Sequence, residues 1–190
     1  MAAADESAEI EALRRGDERA FALLVERHQP MLRRVVRHYV ANAAVAEEVI
    51  QDTWLGVVRG IFAFQGRSSL KTWIVRILVN RARTRAAREA GIPTGMAAEL
   101  LEDGPDPPRD TDPSPERQVL LDEVHARTQA AIAALPPRQR LVLELRDVEG
   151  FSSEEVCNVL GLEETHQRVL LHRARTRVRE ALQGYLEGTT

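Results

Sequence analysis

Residues 62–88 read FAFQGRSSLKTWIVRILVNRARTRAAR, a loop that runs into an amphipathic helix, and the rest of the chain is arranged around them. The loop half carries two aromatics, a glycine and two serines. In the helical half Leu70, Trp73, Ile74, Ile77 and Leu78 recur at three- and four-residue spacing, which predicts one buried stripe opened by Ser68 as N-cap. Arg76, Asn80, Arg83 and Arg85 project elsewhere. Loop aromatics followed by guanidinium and amide groups suit an unpaired nucleic-acid strand, because bases stack on rings and positive charge follows the phosphates. A plain solvated cationic face is the alternative.

Upstream, Asp17 is placed to cap a helix with Phe21, Leu24, Val25 and His28 on one face, and the pattern resumes at Met31, Leu32, Val35, Val36 and Tyr39. Pro30 either starts a second helix or kinks one long one. A further helix over 43–60 is expected to bury Ala46, Val49, Ile50, Trp54, Val57 and Val58, and to present Glu47, Glu48, Gln51 and Asp52 on its other face. Glu48 and Asp52 are like charges four apart, which costs an isolated helix roughly 0.2–0.5 kcal/mol. That face either awaits a basic partner or is solvated.

Downstream, six of the nine prolines fall between residues 93 and 115 (Pro93, Pro105, Pro107, Pro108, Pro113, Pro115), interleaved with acids. Such a segment reads as an extended, semi-rigid linker. The chain is therefore expected to be all-α, with an N-terminal helical bundle over 1–90, a linker over 91–115 and a C-terminal helix-turn-helix domain over 116–190. In the last part a helix from about Glu116 to Leu135 ends at Pro136 and Pro137, and a second runs to about Val148. Gly150 turns the chain, and Ser152 with Glu155 forms a capping box before a short helix that stops at Gly161. A final helix from about Glu164 to Leu186 puts Leu171, Ala174, Val178 and Leu182 on one face and Arg168, Val169, His172, Arg175, Thr176 and Arg179 on the other. This is the layout that carries a helix into the major groove, although an ordinary surface helix has the same spacing.

Composition narrows the classes. A hydrophobic content of 44% supports packed cores, and aromatic residues are only 4%. The net charge of -3 conceals segregation: acids gather in 47–52 and 99–116, arginines in 67–88 and 168–179. Cys157 is the single cysteine, which fits a reducing cytoplasm. There is no signal-peptide core and no apolar run of about 18 residues, so neither export nor membrane insertion is expected. No HExxH pair, metal-spaced cysteines or phosphate-cradling glycine loop is present, so no catalytic residue, metal or cofactor is expected and the chain is not read as an enzyme. His28, on an apolar stripe, reads as a core histidine.

Taken in series, GDERAFALLVERHQP, AEEVIQDTWLGVVRGIFAFQGRSSLKTWIVRILVNRARTRAAR, the proline-rich linker, ALPPRQRLVLELRDVEGFSSEEVCNVLGL and LLHRARTRVREAL resemble the extracytoplasmic-function group of bacterial RNA polymerase sigma factors. The resemblance spans residues 16–186. It implies that Glu47, Glu48, Gln51, Asp52 and Trp54 lie at or behind a surface for core polymerase. It implies that Phe64, Gly66, Arg67, Ser68, Ser69 and Lys71 form or flank a pocket for a base flipped from the non-template strand of the minus-10 element. Trp73, Arg76 and Asn80 would lie below it and Arg83 on phosphates. Capturing an unstacked base recovers roughly 1–3 kcal/mol, enough to offset its unpairing, so opening would need no nucleotide hydrolysis. The last helix would read the minus-35 element with Arg168, Val169 and His172 on bases and Arg173 and Arg175 on phosphates. Thr165 and His166 belong to the same implied contact set, although the first turn, Glu163 to Gln167, departs from the proline-valine-glycine-threonine-valine start of many members. An anti-sigma protein is a further implied partner. Two rivals remain: a stand-alone helix-turn-helix regulator using residues 116–186 alone, and a helical adaptor that binds polymerase without opening DNA.

Overall fold

The computed structural model of the chain describes residues 2–91 and 119–188. These residues form α-helices and short tight helical turns, with no strand among them. The linker expected over 91–115 and the helix start expected at Glu116 lie outside the described residues, apart from Gly91. The chain divides into two compact units, one built on the first four helices of the described residues and one on most of the last four.

The first unit consists of α1 (Ala2–Arg14), α2 (Glu18–Val36), α3 (Ala43–Gly60) and α4 (Leu70–Glu89). Asp17 caps α2 as expected, accepting from the Arg19 and Ala20 N–H groups, and Asn42 caps α3 in the same way. Of the two alternatives at Pro30, no second helix starts there: one long helix, α2, runs through it to Val36. Helix α4 touches both α2 and α3, which explains why its buried surface is wider than the single stripe expected. Leu70, Ile74 and Leu78 are buried, but so are Val75, Val79 and Ala82, while Trp73 and Ile77 sit at the margins. The N-cap of α4 is Ser69, one residue beyond the expected Ser68. Its Oγ accepts the Thr72 N–H at 3.2 Å and bonds the Thr72 hydroxyl at 2.7 Å. In α3 the expected core residues are buried except Val58, which is 50% exposed. Its place is taken by Thr53, whose hydroxyl is satisfied by the Val49 carbonyl at 2.8 Å.

The second unit consists of α5 (Val119–Ala133), α6 (Pro137–Leu143), α7 (Ser153–Leu160) and α8 (Glu164–Gly188). Helix α8 lies along α5 and α6. Beyond Leu143 the chain continues for one widened turn, Glu144–Val148, in which the Glu149 N–H donates to the Glu144 carbonyl at 2.9 Å. The extra residue in that turn precedes Phe151, the largest fully buried side chain of the unit. Arg140 is buried as well. Its guanidinium donates to the carbonyls of Ile132, Ala133 and Leu135, the end of α5, where acceptors lack partners along their own helix.

Candidate nucleic-acid and polymerase interfaces

Between α3 and α4 the chain makes a tight turn, Ile61–Ala63, and then the loop that leads to Ser69. The turn sends its two phenylalanines in opposite directions. Phe64 is buried, its ring centroid 4.9 Å from that of Trp73, whereas Phe62 stands 71% exposed. Phe64 and Trp73 thus form a wall beneath the loop. The Trp73 ring comes so close to Gly60 that a Cβ there would lie 3.0 Å from it, so glycine admits the ring. Gly66 takes φ +66°, and Gln65, Gly66 and Arg67 are exposed at the loop's crest, with Ser68 half-buried. Along α4, Arg76 and Asn80 are exposed four residues apart, and Arg83 is half-buried one turn on. Lys71, at the start of α4, is close enough to His28 to help lower its pKa.

The acidic α3 face, left open between a basic partner and plain solvation, has arginine partners within the unit. Arg33 pairs with Glu47 at 2.8 Å, Arg85 with Glu48 at 3.1 Å and Arg81 with Asp52 at 3.9 Å. Arg81 reaches across Gly56, where a Cβ would meet its Nη2 at 2.8 Å. So Arg85, expected on the open cationic face, is turned toward α3. These pairs are exposed and screened by solvent, so they yield readily to a stronger partner. Gln51 is exposed, and Leu55 and Val58, at the next four- and three-residue steps, are 51% and 50% exposed. Trp54 lies behind this surface, its indole N–H donating to Gln29 Oε1 at 2.8 Å and the Phe21 ring edge-on to it at 5.9 Å.

In the second unit Gly150 and Gly161 take positive φ at the two turns that bracket α7. The capping box is reciprocal: the Ser152 N–H donates to Glu155 Oε2 at 2.8 Å and the Glu155 N–H to Ser152 Oγ at 3.1 Å. Helix α7 is tied to α8 by Ser153, which donates to Gln167 Oε1 at 2.6 Å, and Gln167, one turn before Leu171, is fully buried. Thr165, His166, Arg168, Val169, His172, Arg173 and Arg175 are all exposed on the N-terminal half of α8. Within that set Arg168 pairs with Glu164, and Arg175 makes a two-pronged bond to Asp147 at 2.9 and 2.6 Å. Hydrogen bonding to Asp147 raises the Arg175 pKa, so it holds its charge.

The residues that composition and spacing missed are Phe62, Leu55 and Phe151. Phe62 and Phe64 are two apart in an irregular segment, where no period tells which turns inward. Leu55 breaks the charged pattern of its face, which was the available signal. Among the described residues there is no cluster of side chains suited to a metal ion and no helix long and apolar enough to cross a membrane.

The family model described as Sigma-70 region 2 matches residues 24–91, and that described as Sigma-70, region 4 matches residues 125–178. The chain is 34% identical to the RNA polymerase sigma-H factor of Pseudomonas aeruginosa, over 93% of both chains. It is 28% identical to the ECF RNA polymerase sigma-E factor of Escherichia coli K12, over 92% of both. The fold is shared with the sigma factor RpoE of Bartonella quintana, solved with the anti-sigma factor NepR, at a TM-score of 0.63, 22% identity and coverage of 86% of this chain and 96% of that one. CnrH, solved with the cytosolic domain of CnrY, gives a TM-score of 0.61 at 22% identity over 94% of this chain and 97% of that one. With both regions matched in order and a relative similar along nearly its full length, the chain belongs to the extracytoplasmic-function group of bacterial RNA polymerase sigma factors, transcription initiation factors that bind core RNA polymerase and promoter DNA.

Proposed function

We propose that the chain directs polymerase to promoters with a minus-35 and a minus-10 element, and opens the DNA by capturing an unpaired non-template base. The observation that carries this is the loop between α3 and α4: an exposed crest at Gln65–Arg67 set on a buried Phe64–Trp73 wall, followed by exposed Arg76 and Asn80. Phe64 and Trp73 support the pocket from below, so Gly66, Arg67, Ser68, Ser69 and Lys71 form its rim and Phe62 supplies an exposed ring. Asn80 and Arg76 read or hold the strand next to it, and Arg83 takes phosphate. A rigid exposed rim with cationic side chains below it favours a splayed base over a stacked one, without an added energy source.

Polymerase docks on the α3 face through Glu47, Glu48, Gln51 and Asp52, with Leu55 and Val58 giving an apolar centre and Trp54 stiffening the helix from behind. A basic partner segment would displace Arg33, Arg81 and Arg85 from their exposed pairs. On α8, Arg168, Val169 and His172 read bases of the minus-35 element, Thr165 and His166 flank them, and Arg173 and Arg175 take phosphates. The protein acts in the cytoplasm, where its polymerase is, and a protein antagonist of the kind seen with the Bartonella factor regulates it.

Run-off transcription on the DNA upstream of the protein's own gene, beside a mobility shift of the same fragment, tests this. The expected result is a transcript and a sequence-specific shift that both require core polymerase. A specific shift by the chain alone with no transcript would instead make it a stand-alone regulator, and polymerase binding without transcription an adaptor.

A further inference from the structure

Helix α1 precedes the matched residues 24–91. It is held on the first unit by a buried Leu13 and by Glu9, whose two oxygens accept from Arg27 Nη1 at 3.0 and 3.2 Å. From that seat it reaches both ends of the loop between α3 and α4. At the entry, Arg14 donates through Nη2 to the Phe64 carbonyl at 2.7 Å and through Nε to the Ile61 carbonyl at 3.4 Å. Glu11 steadies the same guanidinium at 2.7 Å. At the exit, Glu6 Oε1 accepts the Leu70 N–H at 2.6 Å, in the first turn of α4, where a backbone donor lacks a helical partner and a carboxylate is favoured.

We propose that α1 is a positioning element for strand capture, with Arg14 and Glu6 fixing the two ends of the loop in the shape that receives the flipped base. The proposal rests on the function proposed above. A guanidinium with two donors in a fixed fork sets both the position and the direction of the carbonyls it holds, which one ammonium donor does not do. The Phe64 carbonyl belongs to the residue whose ring packs on Trp73, so the clamp and the ring contact act on the same residue. Ordering the loop beforehand removes an entropic cost that the strand would otherwise meet on binding.

The test uses the full chain bound to core polymerase, with a fluorescein-labelled non-template single strand from a promoter that the wild-type holoenzyme transcribes. Arg14→Ala is expected to weaken strand binding about tenfold and Glu6→Ala about threefold, with core-polymerase affinity within about twofold of wild type. Arg14→Lys restores part of the loss. A variant that merely destabilised the unit would lose polymerase and strand together, which would overturn the positioning role. Strand binding by Arg14→Ala equal to wild type would overturn it as well, leaving the capture function intact. A wild-type holoenzyme that binds no strand would instead refute the capture function, and this proposal with it.

Discussion

At the scale of single residues, His28 shows what burial does to a titrating group within a small core. Its pKa falls from 6.5 to about 4, chiefly because burial removes the imidazole from water and secondarily because Arg27 and Lys71 repel a second positive charge. The unfolded chain therefore binds a proton between those two values that the folded chain refuses. Stability contributed by the neutral imidazole is complete above pH 6.5 and is lost as pH falls toward 4. In denaturant melts, His28→Gln should flatten this part of the stability profile relative to wild type. An unchanged slope between the two proteins would show that His28 is not the group responsible. The stripe of apolar neighbours pointed to a core position for His28, but the side chain is half-buried at the core's margin. The outward turn of Phe62 was not readable, because it depends on a three-residue turn and on the room that Gly60 leaves for Trp73. The partners of Arg81 and Arg85 were hidden for a similar reason: sequence spacing gives the face of α4 but not the side chain's reach across Gly56 to α3.

At the scale of elements, the starts and stops of most helices were legible because their chemistry is local. Asp17, the Ser152–Glu155 box, Gly150 and Gly161 each act within a few residues. Two features were not local. Ser69 is chosen over Ser68 as the cap of α4 in a place where Glu6, far away in sequence, also takes the Leu70 N–H. The widened turn after Leu143 adds a residue that no 3.6-residue pattern reveals, and Phe151 enters the core just beyond it. The reciprocal box ahead of α7 should matter for the recognition unit because this helix is short and cannot hold its first turn by propensity alone. Ser152→Ala should lower stability by about 1 kcal/mol in thermal or denaturant unfolding, while Ser152→Asp, which keeps an acceptor at the cap, should stay near wild type. An alanine variant as stable as the native chain would mean that Glu155 or water replaces the cap at no cost.

At the scale of the whole molecule, the distribution of charge carries more than its total. A chain with a net charge of -3 presents exposed Arg76 on α4, an exposed arginine and histidine face on α8, and carboxylates on α3 held in weak exposed pairs. If the two cationic faces meet DNA and the acidic face meets polymerase, as proposed, the arrangement suits a factor that binds promoters only once polymerase is in place. The segregation of arginines and acids itself was visible along the sequence. What the sequence could not display is how much of the arginine complement is already engaged inside the units. Permanganate footprinting reads polymerase-dependent opening by strand capture at the level of single thymines. With core enzyme and the full chain on the DNA upstream of its own gene, non-template thymines near minus-10 should become reactive only when both proteins are present. Asn80→Ala should abolish that reactivity while still binding polymerase. Bound but closed DNA, or opening that Asn80→Ala leaves unchanged, would contradict the account.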